Sequence, residues 1–212
     1  MTLLAVVAGY LIGSLPTGLL VIRALRGVDI RTLGSGNIGA TNVYRVAGLP
    51  TALLVLLIDA LKGAAPVLLA RAWGQAPWVE VSAGLAAIIG HNWSVFMRFA
   101  GGKGIAASFG VLTALSPVAA GAALGVWLVV VAVTRYASLA SLLAIASVPL
   151  VMWWRGEPAD HLVFGLLALV FALYRHRANI ARLRAGTELR ITDAAHAGLP
   201  QAPAGHKSGK GR

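Results

Sequence analysis

The chain has 212 residues, of which 58% are hydrophobic and only 12% charged, whereas a soluble domain carries roughly a quarter charged residues. With a mean hydropathy of +0.79, most of it is expected to contact lipid, so an ordinary soluble enzyme is excluded, and the formal net charge of +11 points to membrane topology and anionic ligands, with no nucleic acid expected. The chain has no cysteine, which rules out a disulfide scaffold, a thiolate nucleophile, a thiolate zinc site and an iron–sulfur cluster.

The first apolar run, 3–22, lacks a basic segment before it and is interrupted by Gly13, Ser14 and Pro16, which predicts a retained transmembrane helix and not a cleaved signal peptide. Further spans are expected at about 51–71 and 79–97, each near the ~20 residues that a bilayer core requires. The stretch 105–134 carries no charged residue and is too long for one ordinary span; Ser116-Pro117 sits where a turn between two short helices would fall. Two last spans follow at about 138–154 and 161–174. The expected fold is an all-α integral membrane protein with seven transmembrane helices, or six if 105–134 is a single kinked helix.

Basic residues orient these spans. With the N-terminus outside, Arg23, Arg26, Arg31, Arg45, Arg98, Lys103, Arg135 and the Arg-rich segment after Tyr174 all fall in the cytoplasm, leaving Arg71 and Arg155 outside, as the positive-inside rule expects. The same orientation gathers every polar, glycine-rich segment at the cytoplasmic face. Residues 1–190 read as one membrane domain, and 191–212 as a disordered basic cytoplasmic tail that brushes anionic headgroups.

Four segments depart from the apolar background. The first cytoplasmic loop holds Gly34-Ser35-Gly36-Asn37, then Gly39, Thr41, Asn42 and Arg45. It contains the Gly-x-Gly-x-x-Gly spacing of dinucleotide-binding turns, but that reading needs a preceding strand, and here a membrane span precedes it. What remains is local physics: glycines let backbone N–H groups converge on an anion, Ser35, Asn37, Thr41 and Asn42 add neutral donors, and Arg45 adds charge. A plain flexible loop would not need these polar residues.

The second segment runs from Gly90-His91 through Phe96 and Phe99 to Gly101-Gly102-Lys103-Gly104, and opens the next helix. Such a turn presents free N–H groups and the positive end of a helix to a phosphate, with Lys103 as a mobile cation. It is not a Walker A loop, because Gly and not Ser or Thr follows Lys103, and Phe96 stands where a His-x4-Asp acyltransferase would place its acid. His91 is expected to be structural. The third segment places Asp59 and Lys62 within a span, three residues apart on one helical face, and a mutual ion pair is the expected outcome. The fourth is Arg175-His176-Arg177-Ala178-Asn179-Ile180, with Glu188 beyond it; topology explains its arginines but not His176 and Asn179. Ser141, in the short cytoplasmic loop after Arg135, completes the set.

Together these pieces closely resemble the bacterial acyl-phosphate:glycerol-3-phosphate acyltransferase family (PlsY). The resemblance rests on Gly34-Ser-Gly-Asn-x-Gly-Ala-Thr-Asn, Asp59-x-x-Lys-Gly, Gly90-His-x4-Phe-x2-Phe-x-Gly-Gly-Lys-Gly and Arg175-His-Arg-x-Asn-Ile, which cover about residues 10–188 in family order and spacing. Ala178 stands where the family often has an acidic residue. The resemblance implies an inner-membrane enzyme that moves a fatty acyl group from acyl phosphate to the 1-hydroxyl of glycerol 3-phosphate, giving lysophosphatidate and inorganic phosphate in the first acylation of phospholipid synthesis. No metal is expected, because the few acids and histidines are not spaced as a ligand set; no cofactor and no obligate protein partner are inferred, and membrane lipids are the expected surroundings.

On that reading, Ser35, Arg45, Lys103, Ser141, His176 and Asn179 are the catalytic candidates. Gly34, Gly36, Asn37, Thr41, Asn42, Gly101, Gly102 and Gly104 cradle phosphates, while Asp59, Lys62 and His91 support them. Acyl phosphate brings a good leaving group, so alignment and charge stabilisation suffice without a covalent intermediate. The proton goes either to a substrate phosphate oxygen, which the lack of a Ser–His–acid set favours, or to His176. A transporter for an organic phosphate also shows broken apolar segments and intramembrane charge, but it places them at the midplane and not at one face. A non-enzymatic scaffold would tolerate substitution of Ser35 and Lys103.

Overall fold

The computed structural model describes residues 1–193, and these are helical apart from turns, loops and one isolated bridge between Ser94 and Ala100. The helices are α1 (Thr2–Ser14), α2 (Thr17–Arg26), α3 (Ala40–Ala72), α4 (Pro77–Asn92), α5 (Ile105–Leu115), α6 (Pro117–Thr134), α7 (Ala137–Trp154), α8 (Ala159–Arg175) and α9 (Arg177–Arg184). Pro16, which has no N–H to donate, falls in the break between α1 and α2. α2 stops at Gly27, whose φ of 68° lets its N–H return to the carbonyl of Arg23.

Two sequence expectations meet the structure directly. The 105–134 stretch is two helices, not one kinked helix: Pro117 starts α6, and the Ser116 hydroxyl accepts the N–H of Ala119 at 3.3 Å as its cap. The span expected at 79–97 ends early. α4 stops at Asn92, and a 3-10 turn at Val95–Met97 closes a loop in which Ser94 N–H donates to Ala100 O and Phe99 N–H to Ser94 O. α3 is longer than its apolar run because a short helix, bent at Gly48 with φ 81°, is joined to its start.

Helices come close where side chains are absent. A Cβ on Gly9 or Gly13 of α1 would strike the α4 backbone at Ala83 or Ala87, and one on Gly63 or Gly110 would strike the facing backbone between α3 and α5. Lipid gives helices no hydrophobic drive toward each other, so close contact of small residues has to supply the attraction. One apolar core lies among α4–α8, around Ile88, Leu112, Val148, Met152 and Phe164. A second, around Ile22, Ile30, Val43 and Val55, packs under the first loop.

Four helical segments are long and apolar enough to cross a membrane: α1–α2 together, α3, α6 and α7. The pair α8–α9, bent by 61°, would make a fifth. α5, with 11 residues, is about 16 Å long at 1.5 Å per residue, too short for a bilayer core by itself. Leucines stay exposed around the bundle, and Trp73, Trp78, Trp153 and Trp154 are exposed at the helix ends away from the polar loops, where an aromatic belt would meet the membrane surface.

Candidate active site

The polar loops converge on one cavity of about 150 Å³. It is lined by Ser35, Asn37, Thr41, Asn42 and Arg45 from the first loop and the start of α3, by Asp59 and His91, by Lys103 and Gly104, by Ser138 and Ser141, and by His176, Asn179, Arg182 and Glu188. Gly34, Gly36, Gly101, Gly102 and Lys62 are not among its walls. Gly34 and Gly36, with φ of 56° and 71°, turn the first loop, and Gly36 N–H bonds to Leu33 O at 2.9 Å.

Asn42 is wholly buried and its amide is committed to that loop. Oδ1 accepts from Ser35 N–H at 2.8 Å, while Nδ2 donates to Leu33 O at 3.0 Å and Asn37 O at 2.8 Å. Asn42 therefore shapes the loop and holds the Ser35 N–H. Asn37 Oδ1 similarly accepts Gly39 N–H at 2.8 Å. Arg45 turns its guanidinium to the carbonyls of Leu189 and Arg190, at 3.2 and 3.0 Å, and so ties the first loop to the segment after α9.

Lys103 precedes Gly104, which caps α5 with φ 78°. Among the described residues no carboxylate reaches it within ion-pair distance. Burial pushes its pKa down to about 8, and Arg182, Arg45 and Arg175 push the same way against the pull of Glu188. A half-buried cation among other cations is a place for an anion.

His176 sits at the corner between α8 and α9, almost wholly buried. Its Nδ1–H donates to Ala172 O at 2.8 Å, which leaves Nε2 unprotonated. Burial first, and Lys103 second, push its pKa down to about 4. Ser141 donates to Ala137 O at 2.7 Å and accepts from the Trp127 indole at 3.2 Å. Asp59 and Lys62 form the expected ion pair, at 2.8 Å with both side chains buried. His91 lies under Gly102, where a Cβ would strike its imidazole.

A second, apolar cavity of about 470 Å³ runs between α3, α5, α6 and α7, walled by leucines, alanines, Ile105, Phe109 and Ile145. It shares Leu56, Ile105, Ala106, Trp127 and Ser141 with the polar cavity, so the two adjoin.

Residues 3–186 match the family model described as glycerol-3-phosphate acyltransferase. The chain belongs to that family. Among glycerol-3-phosphate acyltransferases, the proteins of Desulforudis audaxviator and Rubrobacter xylanophilus are 51% and 46% identical to it, over 90% and 89% of this chain and 96% and 94% of their own. The crystal structure of PlsY, an integral membrane glycerol 3-phosphate acyltransferase, in its glycerol 3-phosphate form superposes with a TM-score of 0.85 at 43% identity, covering 89% of this chain and 94% of that one. Its lysophosphatidic acid form superposes with a TM-score of 0.83.

Within this family member, several cavity residues escaped the sequence reading. Glu188 lies beyond α9, and its side chain turns inward to accept from Asn179 at 2.5 Å, Ser138 at 2.8 Å and Arg182 at 2.8 Å. Burial pushes its carboxyl up, but these three hydrogen bonds outweigh it and hold the pKa below the usual value. A lone acid in a basic segment was the available signal. The start of the expected tail is also tied down: Ile191 N–H bonds to Arg135 O at 2.7 Å, and Asp193 accepts Arg190 N–H. The rest of that tail lies outside the described residues.

Proposed function

We propose that the protein transfers a fatty acyl group from acyl phosphate to the 1-hydroxyl of glycerol 3-phosphate, releasing lysophosphatidate and inorganic phosphate. The observation that carries this is that a small cation-lined cavity adjoins a larger apolar one and shares five wall residues with it. One substrate is then a phosphate ester small enough for the polar end, and the other an anionic head on a hydrocarbon chain. The glycerol 3-phosphate and lysophosphatidic acid forms of PlsY support the same pair of ligand shapes.

In this reading seven helical segments cross the bacterial inner membrane, α1–α2 and α3 to α8, with the N-terminus outside and the site at the cytoplasmic face. Arg23, Arg26, Arg135 and the arginines of α9 share that face, consistent with positive-inside topology. The short α5 recesses the 101–104 loop toward the apolar layer, so Lys103 meets phosphate where water is sparse and its attraction is strongest.

Lys103, Arg45, Arg182 and the first-loop backbone hold the two phosphates, and Trp127 and Ser141 mark where the acyl carbonyl sits. The glycerol oxygen attacks the carbonyl carbon, the bond from carbon to the phosphate oxygen breaks, and the hydroxyl proton passes to a phosphate oxygen. Among the described residues no side chain around the cavity is a better base: Glu188 is engaged by three donors, Asp59 by Lys62, and His176 is too weakly basic. Direct transfer needs no acyl-enzyme.

Purified, detergent-solubilised protein is expected to form lysophosphatidate from glycerol 3-phosphate with palmitoyl phosphate and not with palmitoyl-CoA, and Lys103→Ala is expected to abolish it. Turnover with palmitoyl-CoA alone would overturn the donor, and an active Lys103→Ala enzyme would overturn the site. His176→Ala should keep much of the rate if phosphate is the base; complete loss with unchanged binding would give that role to His176.

A further inference from the structure

We propose that Arg175 is a positioning residue that sets the pose of Lys103 by gripping two successive carbonyls of the glycine-rich loop. The inference rests on Lys103 as the phosphate-binding cation. The loop offers few handles, since Gly101, Gly102 and Gly104 have no side chains to anchor and glycine backbone is the most mobile there is. Its fixing points are therefore backbone groups, and they are held from both sides. Gly102 N–H donates to His91 O at 3.0 Å. On the opposite side, Arg175 Nε donates to Gly102 O at 2.9 Å and a terminal nitrogen to Gly101 O at 2.9 Å. A planar guanidinium can meet two neighbouring oxygens at once, which an ammonium cannot do in the same pose.

The grip itself is braced. The Arg175 guanidinium carbon lies 5.4 Å from the ring centroid of Trp93, within cation–π range. Trp93 is held in turn by Phe171 and Tyr174, each with centroids 6.1 Å away, and its carbonyl accepts the Tyr10 hydroxyl at 3.0 Å. The His91 imidazole fills the space under Gly102. Arg175 is not among the cavity walls, so it acts on substrate only through the loop. Its neighbour Arg177 is exposed, donates to Tyr174 O and stacks on that ring, and serves as the control for loss of a positive charge.

Four proteins are compared in steady-state kinetics with palmitoyl phosphate and glycerol 3-phosphate across pH: wild type, Arg175→Ala, Arg175→Lys and Arg177→Ala. Arg175→Ala is expected to lower kcat/KM by about 10²-fold, the scale of a small misplacement transmitted from outside the chemistry, with Arg175→Lys in between and Arg177→Ala within about threefold of wild type. A role confined to folding would leave the pH profile of the surviving enzyme unmoved. Here the alkaline limb set by Lys103 should rise in Arg175→Ala by about one pH unit as water reaches the ammonium and a nearby cation disappears. The other charged or titratable neighbours, Glu188, Arg182, Arg45 and His176, stay in place. Wild-type kcat/KM in Arg175→Ala, or a loss with the alkaline limb unmoved, would overturn the proposal. If Arg175→Ala does not fold, Arg175→Lys decides by the same two readouts. A fully active Lys103→Ala enzyme would instead remove the underlying reading of the site, whatever the Arg175 variants do.

Discussion

The ammonium of Lys62 sits 2.8 Å from a carboxylate oxygen of Asp59, one helical turn earlier on α3, with both side chains at most 4% exposed. Lys62 also donates to Leu15 O at 2.7 Å, at the break between α1 and α2. Removing one partner strands a buried charge, so Asp59→Leu or Lys62→Met alone should cost about 3–5 kcal/mol. The double variant Asp59→Leu/Lys62→Met should recover most of that loss, short of the about 1–3 kcal/mol for leaving Leu15 O with one donor fewer. Thermal unfolding in detergent measures all three. A double variant as unstable as the sum of the single ones would show that the pair acts as two independent groups.

Much of the site was legible because its parts are local. Ser116-Pro117 announced a helix break by turn chemistry alone, and Asp59 and Lys62 announced their pairing by helical spacing. The end of α4 was not legible, since Trp93, Val95, Phe96 and Met97 are as apolar as a span while forming a loop, and hydropathy does not register backbone direction. Glu188 and Arg175 were missed for a different reason. The contacts that tie them across the fold lie 50 residues away at Ser138 and 73 away at Gly102, the nearer partners of Glu188 sit across a turn after α9, and periodicity carries no information about such contacts. Asn42 shows the converse limit: its residue type suggests a donor for ligand, while composition does not register that the loop occupies its amide.

Glu188 joins three elements, since Ser138 belongs to α7, Asn179 and Arg182 to α9, and the segment carrying Glu188 follows α9. Glu188→Gln keeps an acceptor for Asn179 and Ser138 but loses the charge facing Arg182, and hydrogen bonds to charged groups are worth about 1.5–3 kcal/mol. The expected result is about a tenfold fall in kcat/KM with a modest loss of stability. Glu188→Ala, which removes all three contacts, should lose more of both. Equal kinetics for wild type and Glu188→Ala would show that this segment plays no part in the site.

The pH dependence follows from Lys103. Its free-enzyme pKa is pushed down to about 8, so the cation is present below that pH and is lost as pH rises through it. kcat/KM should therefore fall about tenfold per pH unit above 8, and the limb for kcat should lie higher, because bound phosphate favours the charged form. His176, at about 4, contributes no limb near neutrality, and the acid side should instead follow the second ionisation of the substrate phosphate, near pH 6. A Lys103→Arg enzyme that remains active should lose the alkaline limb, since arginine stays charged above pH 12. Persistence of that limb in Lys103→Arg would assign it to another group.

The apolar cavity sets a prediction about chain length. Leu56, Ile105, Ala106, Trp127 and Ser141 border the polar end, whereas Leu112 is two turns further along α5, Ala123 one turn before Trp127, and Ile145 one turn beyond Ser141. These three residues therefore mark the far end of the groove. Ala123→Phe should fill that end and displace about three methylenes of a palmitoyl chain, at ~0.8 kcal/mol each. That amounts to about a 50-fold fall in kcat/KM for palmitoyl phosphate, with each 1.4 kcal/mol worth a factor of ten. Butanoyl phosphate, whose chain is shorter than the about 5.4 Å of one helical turn, should be used nearly as well as before. Parallel kinetics with the two donors isolates the effect from any general destabilisation, because a damaged fold would slow both equally. An equal loss on both donors would place the hydrocarbon chain outside this groove.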